Sequence, residues 1–105
     1  MRGLRVEPEA EAELAAAIDW YEAEQPGLGA ALVTEIDDVI ADLRRGDLPG
    51  LGVPGLRADL TVRRVLLDRF PYAVVFLDHA DELHVLAFAH HKRRPGYWKA
   101  RMPPR

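Results

Sequence analysis

The spacing of apolar residues changes once along this chain, and that change limits the folds open to it. In the first half the spacing is helical, with apolar side chains recurring every three or four positions. This pattern predicts one amphipathic helix from Glu9 to Glu24 and a second from Ala30 to Arg45. Residues 25–29 between them hold one proline and two glycines, which favour a turn. The first half is therefore expected to form a helical hairpin.

In the second half the apolar residues form short, nearly continuous segments, which are typical of strands. They lie at Leu60–Leu67, Tyr72–Asp78 and Glu82–Ala89. The connections at 68–71 and 79–81 are short enough for hairpins, so a three-stranded antiparallel meander is expected. Leu4–Val6 can add a short N-terminal strand. The predicted fold class is α+β, in the order short strand, helical hairpin and meander, with the hairpin packed on one face of the sheet.

The segment 46–55 between the two halves has four glycines and two prolines. These residues favour turns, and proline also lacks the N–H that a strand or helix uses. We therefore expect an irregular surface loop here.

The predicted core joins one face of the hairpin to the sheet. Its helical residues are Leu14, Ala17, Ile18, Tyr21, Ile36, Ile40 and Leu43, with Val74 or Val75 and Phe76 opposite. Trp20 is expected to pack at the edge of the apolar helix face, because large aromatic side chains mostly serve packing.

Length and composition limit the class of protein. A chain of 105 residues suits one domain spanning 1–105. It has no cysteine, which excludes disulfides, thiolate metal sites and a cysteine nucleophile. It also has no run of about 18 apolar residues and turns charged within the first few positions, so a cytoplasmic protein without a membrane segment is expected. His90 and His91 are neighbours on a strand and point to opposite sides, so no metal site is predicted. No cofactor is predicted either.

Charge is distributed unevenly although the net charge is only −3. Residues 1–43 hold two basic and eleven acidic residues, a net charge of −9, whereas residues 44–105 hold twelve basic and six acidic ones, a net charge of +6. The helical side is therefore expected to be acidic and the opposite side basic.

The strongest functional candidate is the basic tail at about 90–105. It combines six basic residues with two histidines and two aromatic residues and has no acid. Such a mixture offers cations to phosphate and flat rings for stacking, although an ordinary solvated tail has the same composition. The residues predicted to bind a target are Arg69, Lys92, Arg93, Arg94, Tyr97, Trp98, Lys99 and Arg101. Arg64 is expected on the basic surface of the sheet, since Val65 and Leu67 point the other way. His84 is expected to be structural.

Four segments of the sequence resemble RelE/ParE toxins of type II toxin-antitoxin systems, and their order agrees along nearly the whole chain. They are Asp19-Trp20-Tyr21-Glu22, Pro26-Gly27-Leu28-Gly29, Arg69-Phe70-Pro71-Tyr72 and His90-His91-Lys92-Arg93-Arg94-Pro95-Gly96-Tyr97-Trp98. The resemblance implies a RelE/ParE-like toxin domain that a cognate antitoxin protein neutralises in a hetero-oligomer. It also implies one of two targets, DNA gyrase or the ribosome with its mRNA.

In the RelE branch, cleavage of ribosome-bound mRNA requires groups that activate the 2′-hydroxyl, stabilise the phosphate and protonate the leaving oxygen. Arg64, His91, Lys92 and Tyr97 are the residues that could fill these roles. However, Ala73 and Leu66 stand where the resemblance leads us to expect an arginine and a lysine. These departures and the mild net charge favour a ParE-like, non-enzymatic inhibitor of gyrase over an mRNA endonuclease. The third hypothesis is a non-toxic regulatory binding protein.

The antitoxin is expected to cover apolar surface near the helical hairpin or an edge of the sheet, where unpaired backbone groups can accept an added strand. Alternatively, the basic tail receives acidic residues of the antitoxin.

Overall fold

The computed structural model describes residues 2–48, 50–53 and 62–103 and has the predicted α+β class. The elements in chain order are β1 (Gly3–Val6), α1 (Pro8–Glu24), α2 (Leu28–Arg45), β2 (Leu51–Gly52), β3 (Val62–Leu66), β4 (Tyr72–Asp78), β5 (Glu82–His90) and a short 3₁₀ helix (Lys99–Arg101). The helical hairpin and the antiparallel β3-β4-β5 meander are confirmed. Leu60 and Thr61, expected to open the first of these strands, lie outside the described residues.

The hairpin is tight because Glu22 caps the second helix from the first. Its carboxylate accepts hydrogen bonds from the backbone N–H groups of Gly27 and Gly29 at 3.0 Å, which occupies donors that a helix start leaves free. A side chain at Gly29 would meet the backbone oxygen of Ile18 at 3.0 Å, so the close approach of the helices needs glycine there. This cap explains why a glutamate late in α1 precedes the Pro-Gly-Leu-Gly segment in the sequence.

The sheet is larger than the meander and is mixed rather than purely antiparallel. Its strand order is β1-β5-β4-β3-β2, with β1 parallel to β5 and β2 antiparallel to β3. The expectation of a wholly irregular 46–55 segment was wrong, because Leu51 and Gly52 pair with Arg64 and Arg63. Gly50 makes this approach possible. It has a φ of +75°, and a side chain there would lie 2.9 Å from the ring of Phe76.

The main core lies between the hairpin and one face of the sheet, as predicted. Ala17, Ile36 and Leu43 are buried against Val74 and Phe76, and Leu14, Ile18, Tyr21 and Ile40 pack around them half-buried. Val75, the other candidate for this face, points to the opposite side.

A second apolar cluster covers part of the opposite face of the sheet, which we call the far face. Val62, Val75, Leu77, Leu86 and Ala87 form its floor, and Trp98 from the tail covers them. At the Val75/Phe76 step the register changes, so Leu86 has no direct partner on β4 and β5 bulges. The tail therefore folds back onto the sheet instead of extending into solvent.

Candidate functional site

Glu13, on α1, binds the tail and the sheet at the same time. Its carboxylate accepts hydrogen bonds from the hydroxyl of Tyr97, from the guanidinium of Arg101 at 2.7 Å and from the backbone N–H of Phe88 at 3.3 Å. Arg101 also donates to the backbone carbonyl of Leu86 at 3.1 Å. Because β1 pairs with only the first part of β5, these side chains supply partners for the backbone of β5 beyond it.

Tyr97 and Arg101 are fixed by this contact. Burial raises the pKa of the Tyr97 hydroxyl, and the hydrogen bond to Glu13 and the charge of its carboxylate raise it further. The hydrogen bond to Glu13 also raises the pKa of Arg101. Both side chains thus hold the tail in place, and the tyrosine hydroxyl is neutral with its donor engaged.

One histidine and three cationic residues form an exposed turn at the start of the tail, which we call the basic loop: His91, Lys92, Arg93 and Arg94. Backbone hydrogen bonds from Arg93 to the carbonyl of His90 at 3.0 Å and from Tyr97 to that of Arg94 at 3.2 Å shape this turn. The guanidinium of Arg93 lies 3.9 Å from the centroid of the Tyr97 ring, a cation–π contact. The basic loop therefore has a folded backbone and exposed side chains.

Arg69 and Lys99 add two further exposed cations. The N–H of Arg69 donates to the Glu35 carboxylate at 3.3 Å, which ties the β3–β4 turn to α2. This turn meets the basic loop, because the N–H of His91 donates to the carbonyl of Pro71 at 2.9 Å. Arg69 and the basic loop thus lie at the same end of the sheet.

Trp98 does not have the exposed position that the composition of the tail favoured. It is only 3% exposed and packs on the far face with Val75 and Leu86. Its ring is therefore covered in this structure and has no face open to a stacking base.

A groove of about 610 Å³, here the aromatic groove, runs between α1, the start of β4 and the tail. Its walls include Trp20, Tyr21, Tyr72 and Tyr97. Trp20 meets Tyr21 edge-on with ring centroids 4.9 Å apart, as expected at the edge of the helix face, yet it is 58% exposed. Burial raises the pKa of both Tyr21 and Tyr72. Arg93 and Glu13 also line the groove, which thus combines an apolar surface with one basic and one acidic side chain.

A smaller pocket of about 170 Å³, the far-face pocket, lies between the tail and β3–β4 on the far face. Arg64, His91, Arg93 and Arg94 contribute basic groups to its lining, and Tyr97 separates it from the aromatic groove. Lys92 is not among the described residues that line this pocket. The structure thus brings Arg64, His91 and Tyr97 to one pocket, but with the tyrosine hydroxyl bound to Glu13 on the helical side.

The apolar part of that pocket includes Leu66 and Ala73, the two positions where the sequence departs from the expected cations. Small apolar side chains also come from Val75 and Ala89. Arg64 is therefore the one sheet residue with a charge in the described lining.

His84 is structural, as predicted. It is 1% exposed, and its Nε2 lies 2.9 Å from the carboxylate of Glu7. Among the described residues, no three histidine, aspartate or glutamate side chains are grouped so as to hold a metal ion. Over the same residues, no helix has the length and apolar character to cross a membrane.

The strand, the helical hairpin, the meander and the basic tail follow the order that the resemblance to RelE/ParE toxins implies. A family model described as "ParE toxin of type II toxin-antitoxin system, parDE" matches residues 4–95, and the chain belongs to that family. The chain is also similar to a solved structure described as "Chromosomal ParDE TA system from P. aeruginosa". The TM-score is 0.68 at 25% identity, covering 86% of this chain and 96% of that one. A comparison with curated proteins found no significant match.

The importance of Glu13 was missed from the sequence. It stands among alternating glutamates at the start of α1 and has the appearance of a solvated, dipole-favoured acid. Its position between the apolar residues Ala10 and Ala17 on one helix face was the available signal, since it predicts that Glu13 points toward the sheet.

Proposed function

We propose that this ParE-family toxin arrests growth by inhibiting DNA gyrase, and that a cognate antitoxin neutralises it. The observation that carries the proposal is the match to the ParE toxin family over residues 4–95. The origin of the similar solved chain in a ParDE system supports the pairing with an antitoxin.

The geometry of the candidate RNase residues favours this function over mRNA cleavage. A metal-independent RNase needs a base, an acid and phosphate ligands that converge on one phosphate. The Tyr97 hydroxyl donates a hydrogen bond to Glu13 and has a raised pKa. Lys92 is not among the described residues around the far-face pocket, and Leu66 and Ala73 offer no charge. Arg64 and His91 alone do not make up such a set.

The basic loop is the surface we assign to the target. Its cations are exposed, its backbone is folded, and Arg69 extends it at the same end of the sheet. A surface of this kind steers association with an acidic partner and depends on salt.

The aromatic groove is the surface we assign to the antitoxin. It lies beside the helical hairpin, where the sequence led us to expect apolar contact, and its exposed Trp20 leaves a large ring to cover. Aromatic rings in such grooves are frequent anchors of protein interfaces.

The test is inducible expression of the chain alone and with the product of the neighbouring gene, followed by mapping of RNA ends. We expect growth arrest that the neighbour relieves, with intact mRNA. Cleavage within ribosome-bound codons would overturn the proposal in favour of an RNase. Normal growth with strong expression of folded protein would favour a non-toxic regulatory protein.

A matched pair of variants tests the basic loop. Lys92→Gln with Arg94→Gln removes two exposed charges from the loop, whereas Arg5→Gln with Arg45→Gln removes two exposed charges elsewhere. Toxicity should fall in the first variant and persist in the second. Equal toxicity of the two variants would contradict the assignment of the loop.

A further inference from the structure

The far-face pocket contains an unusual donor. Among the described residues, the Nε of Arg64 is the one buried side-chain polar atom without a hydrogen-bond partner. Buried polar groups in folded proteins nearly always have a partner, so an unpaired one needs an explanation. A bound group that accepts from Arg64 would be such an explanation.

The strand register explains why Arg64 faces this pocket. Arg64 pairs with Val75 on β4 and with Leu51 on β2, and its side chain shares the far face with theirs. Ala73, Val75 and Ala89, which line the same pocket, have small side chains.

The charge of the pocket selects an anion. Arg93, Arg94 and His91 lie around the same space as Arg64, and none of the described lining residues is acidic. A guanidinium offers a planar pair of N–H donors that matches a carboxylate or a phosphate.

The aromatic residues argue against a nucleotide as the bound group. Single-stranded nucleic acid is held largely by bases stacked on exposed rings. Here Trp98 is 3% exposed, and the Tyr97 ring is covered by the guanidinium of Arg93 at 3.9 Å. The volume of about 170 Å³ is also below the roughly 300–1,000 Å³ of pockets for drug-sized ligands, and it suits a single side chain.

The surface beside the pocket is aliphatic. Leu51 and Leu66 lie on the far face next to Arg64 and are 55% and 44% exposed. Exposed large aliphatic residues next to a basic pocket match a segment in which apolar residues flank an acid.

We propose that the far-face pocket binds the carboxylate of an aspartate or glutamate that is flanked by aliphatic residues on a protein partner. Arg64 donates to the carboxylate, the basic loop supplies the surrounding positive potential, and Leu51 and Leu66 contact the flanking residues. The inference deepens the proposed function by giving the chemistry of a protein partner, and it rests on that function only in expecting the partner to be a protein.

The experiment follows the Arg64 Nε–H resonance by NMR in the ¹⁵N-labelled full chain. The probes are the peptide acetyl-Leu-Glu-Val-amide, its glutamine analogue, inorganic phosphate and an eight-nucleotide oligouridylate. We expect a saturable shift with the glutamate peptide and at least a roughly tenfold weaker effect with its glutamine analogue, as for the loss of a charge-assisted hydrogen bond. Equal binding of the two peptides, tighter binding of phosphate or RNA, or no shift with any probe would overturn the proposal.

Two conservative variants provide the control. Arg64→Lys keeps the charge but loses the planar pair of donors, so it should weaken binding of the glutamate peptide by roughly tenfold. Because lysine has no guanidinium Nε–H, binding to the variants is followed on the backbone amide resonances of the basic loop. Arg63→Lys, on the other face of the same strand, should bind as the unaltered chain does. Equal affinities for all three chains would contradict the role of Arg64. Since these readouts involve neither gyrase nor growth, failure here is distinguishable from failure of the proposed function.

Discussion

The carboxylate of Glu13 lies 2.7 Å from the guanidinium of Arg101, 88 residues further along the chain. This ion pair supplies hydrogen-bond partners for the backbone of Phe88 and Leu86 on β5, and with the Tyr97 hydroxyl it holds the tail against α1. The position of the basic loop, which begins the same tail, therefore depends on a helix residue outside it.

Replacing Glu13 by glutamine should release the tail. The change removes the charge that pairs with Arg101 and weakens the bond to Tyr97, so we expect the free energy of unfolding to fall by about 1–3 kcal/mol. Urea denaturation measures the change. Glu11→Gln, at an exposed position on the same helix, is the control and should alter it by less than about 0.5 kcal/mol. Equal stability of the two variants would show that the tail contact contributes little.

Alkaline pH should weaken the same contact through Tyr97. Its pKa is raised above the usual 10.0, chiefly by burial and then by the hydrogen bond to Glu13. The folded state therefore holds the proton more tightly than the unfolded state. The stabilisation is complete below about pH 10 and is lost as the pH rises above it.

Tyrosinate absorbance during an alkaline titration checks this prediction. All three tyrosines should titrate above a free tyrosine, and the step at the highest pH should be missing in Tyr97→Phe. The stability difference between the two proteins should shrink above pH 10. A Tyr97→Phe titration that matches the unaltered chain would be evidence against a buried, Glu13-bound hydroxyl.

Truncation of Ile36 tests the main core. The side chain is 2% exposed between α2 and the sheet, so Ile36→Ala should lower the free energy of unfolding by about 2–5 kcal/mol. Asp37→Ala, one position along on the exposed face, should change it by less than about 0.5 kcal/mol. Thermal melting compares the two, and an unchanged Tm for Ile36→Ala would refute the placement of the helix.

Gly50 and Gly52 give a matched test of the β2 approach. A methyl group at Gly50 would lie 2.9 Å from the Phe76 ring on a backbone with φ of +75°, whereas one at Gly52 meets no atom within 4 Å. Gly50→Ala should therefore cost about 1–3 kcal/mol by overpacking, and Gly52→Ala should cost clearly less. Similar urea midpoints for the two variants would mean that β2 does not pack as described.

The helices and the meander were predictable because their signals are local. Apolar spacing placed Ile36 and Leu43 correctly, and short connections placed β3, β4 and β5 side by side. The pairing of β1 with β5, and of Leu51 with Arg64, was not predictable, because it depends on contacts between residues far apart in sequence.

The candidate site was predictable in composition but not in geometry. Lys92, Arg93 and Arg94 were predicted from their charges to bind a target; they are exposed, and their binding role stays a prediction. Trp98 and Arg101 were predicted to bind a target on the same ground, the composition of the tail. Trp98 is buried on the far face, however, and Arg101 is paired with Glu13. Whether a tail residue is exposed or buried depends on how the tail folds back onto the sheet. The local pattern of proline, glycine and basic residues does not predict that fold.

The most direct test of the account is DNA supercoiling by purified gyrase in the presence of the purified chain. We predict that the unaltered chain and the Arg5→Gln, Arg45→Gln variant block supercoiling equally. The Lys92→Gln, Arg94→Gln variant should need about tenfold more protein, because two charges of the contact surface are gone. Undiminished supercoiling at every concentration of a folded chain that still arrests growth in cells would contradict the central claim.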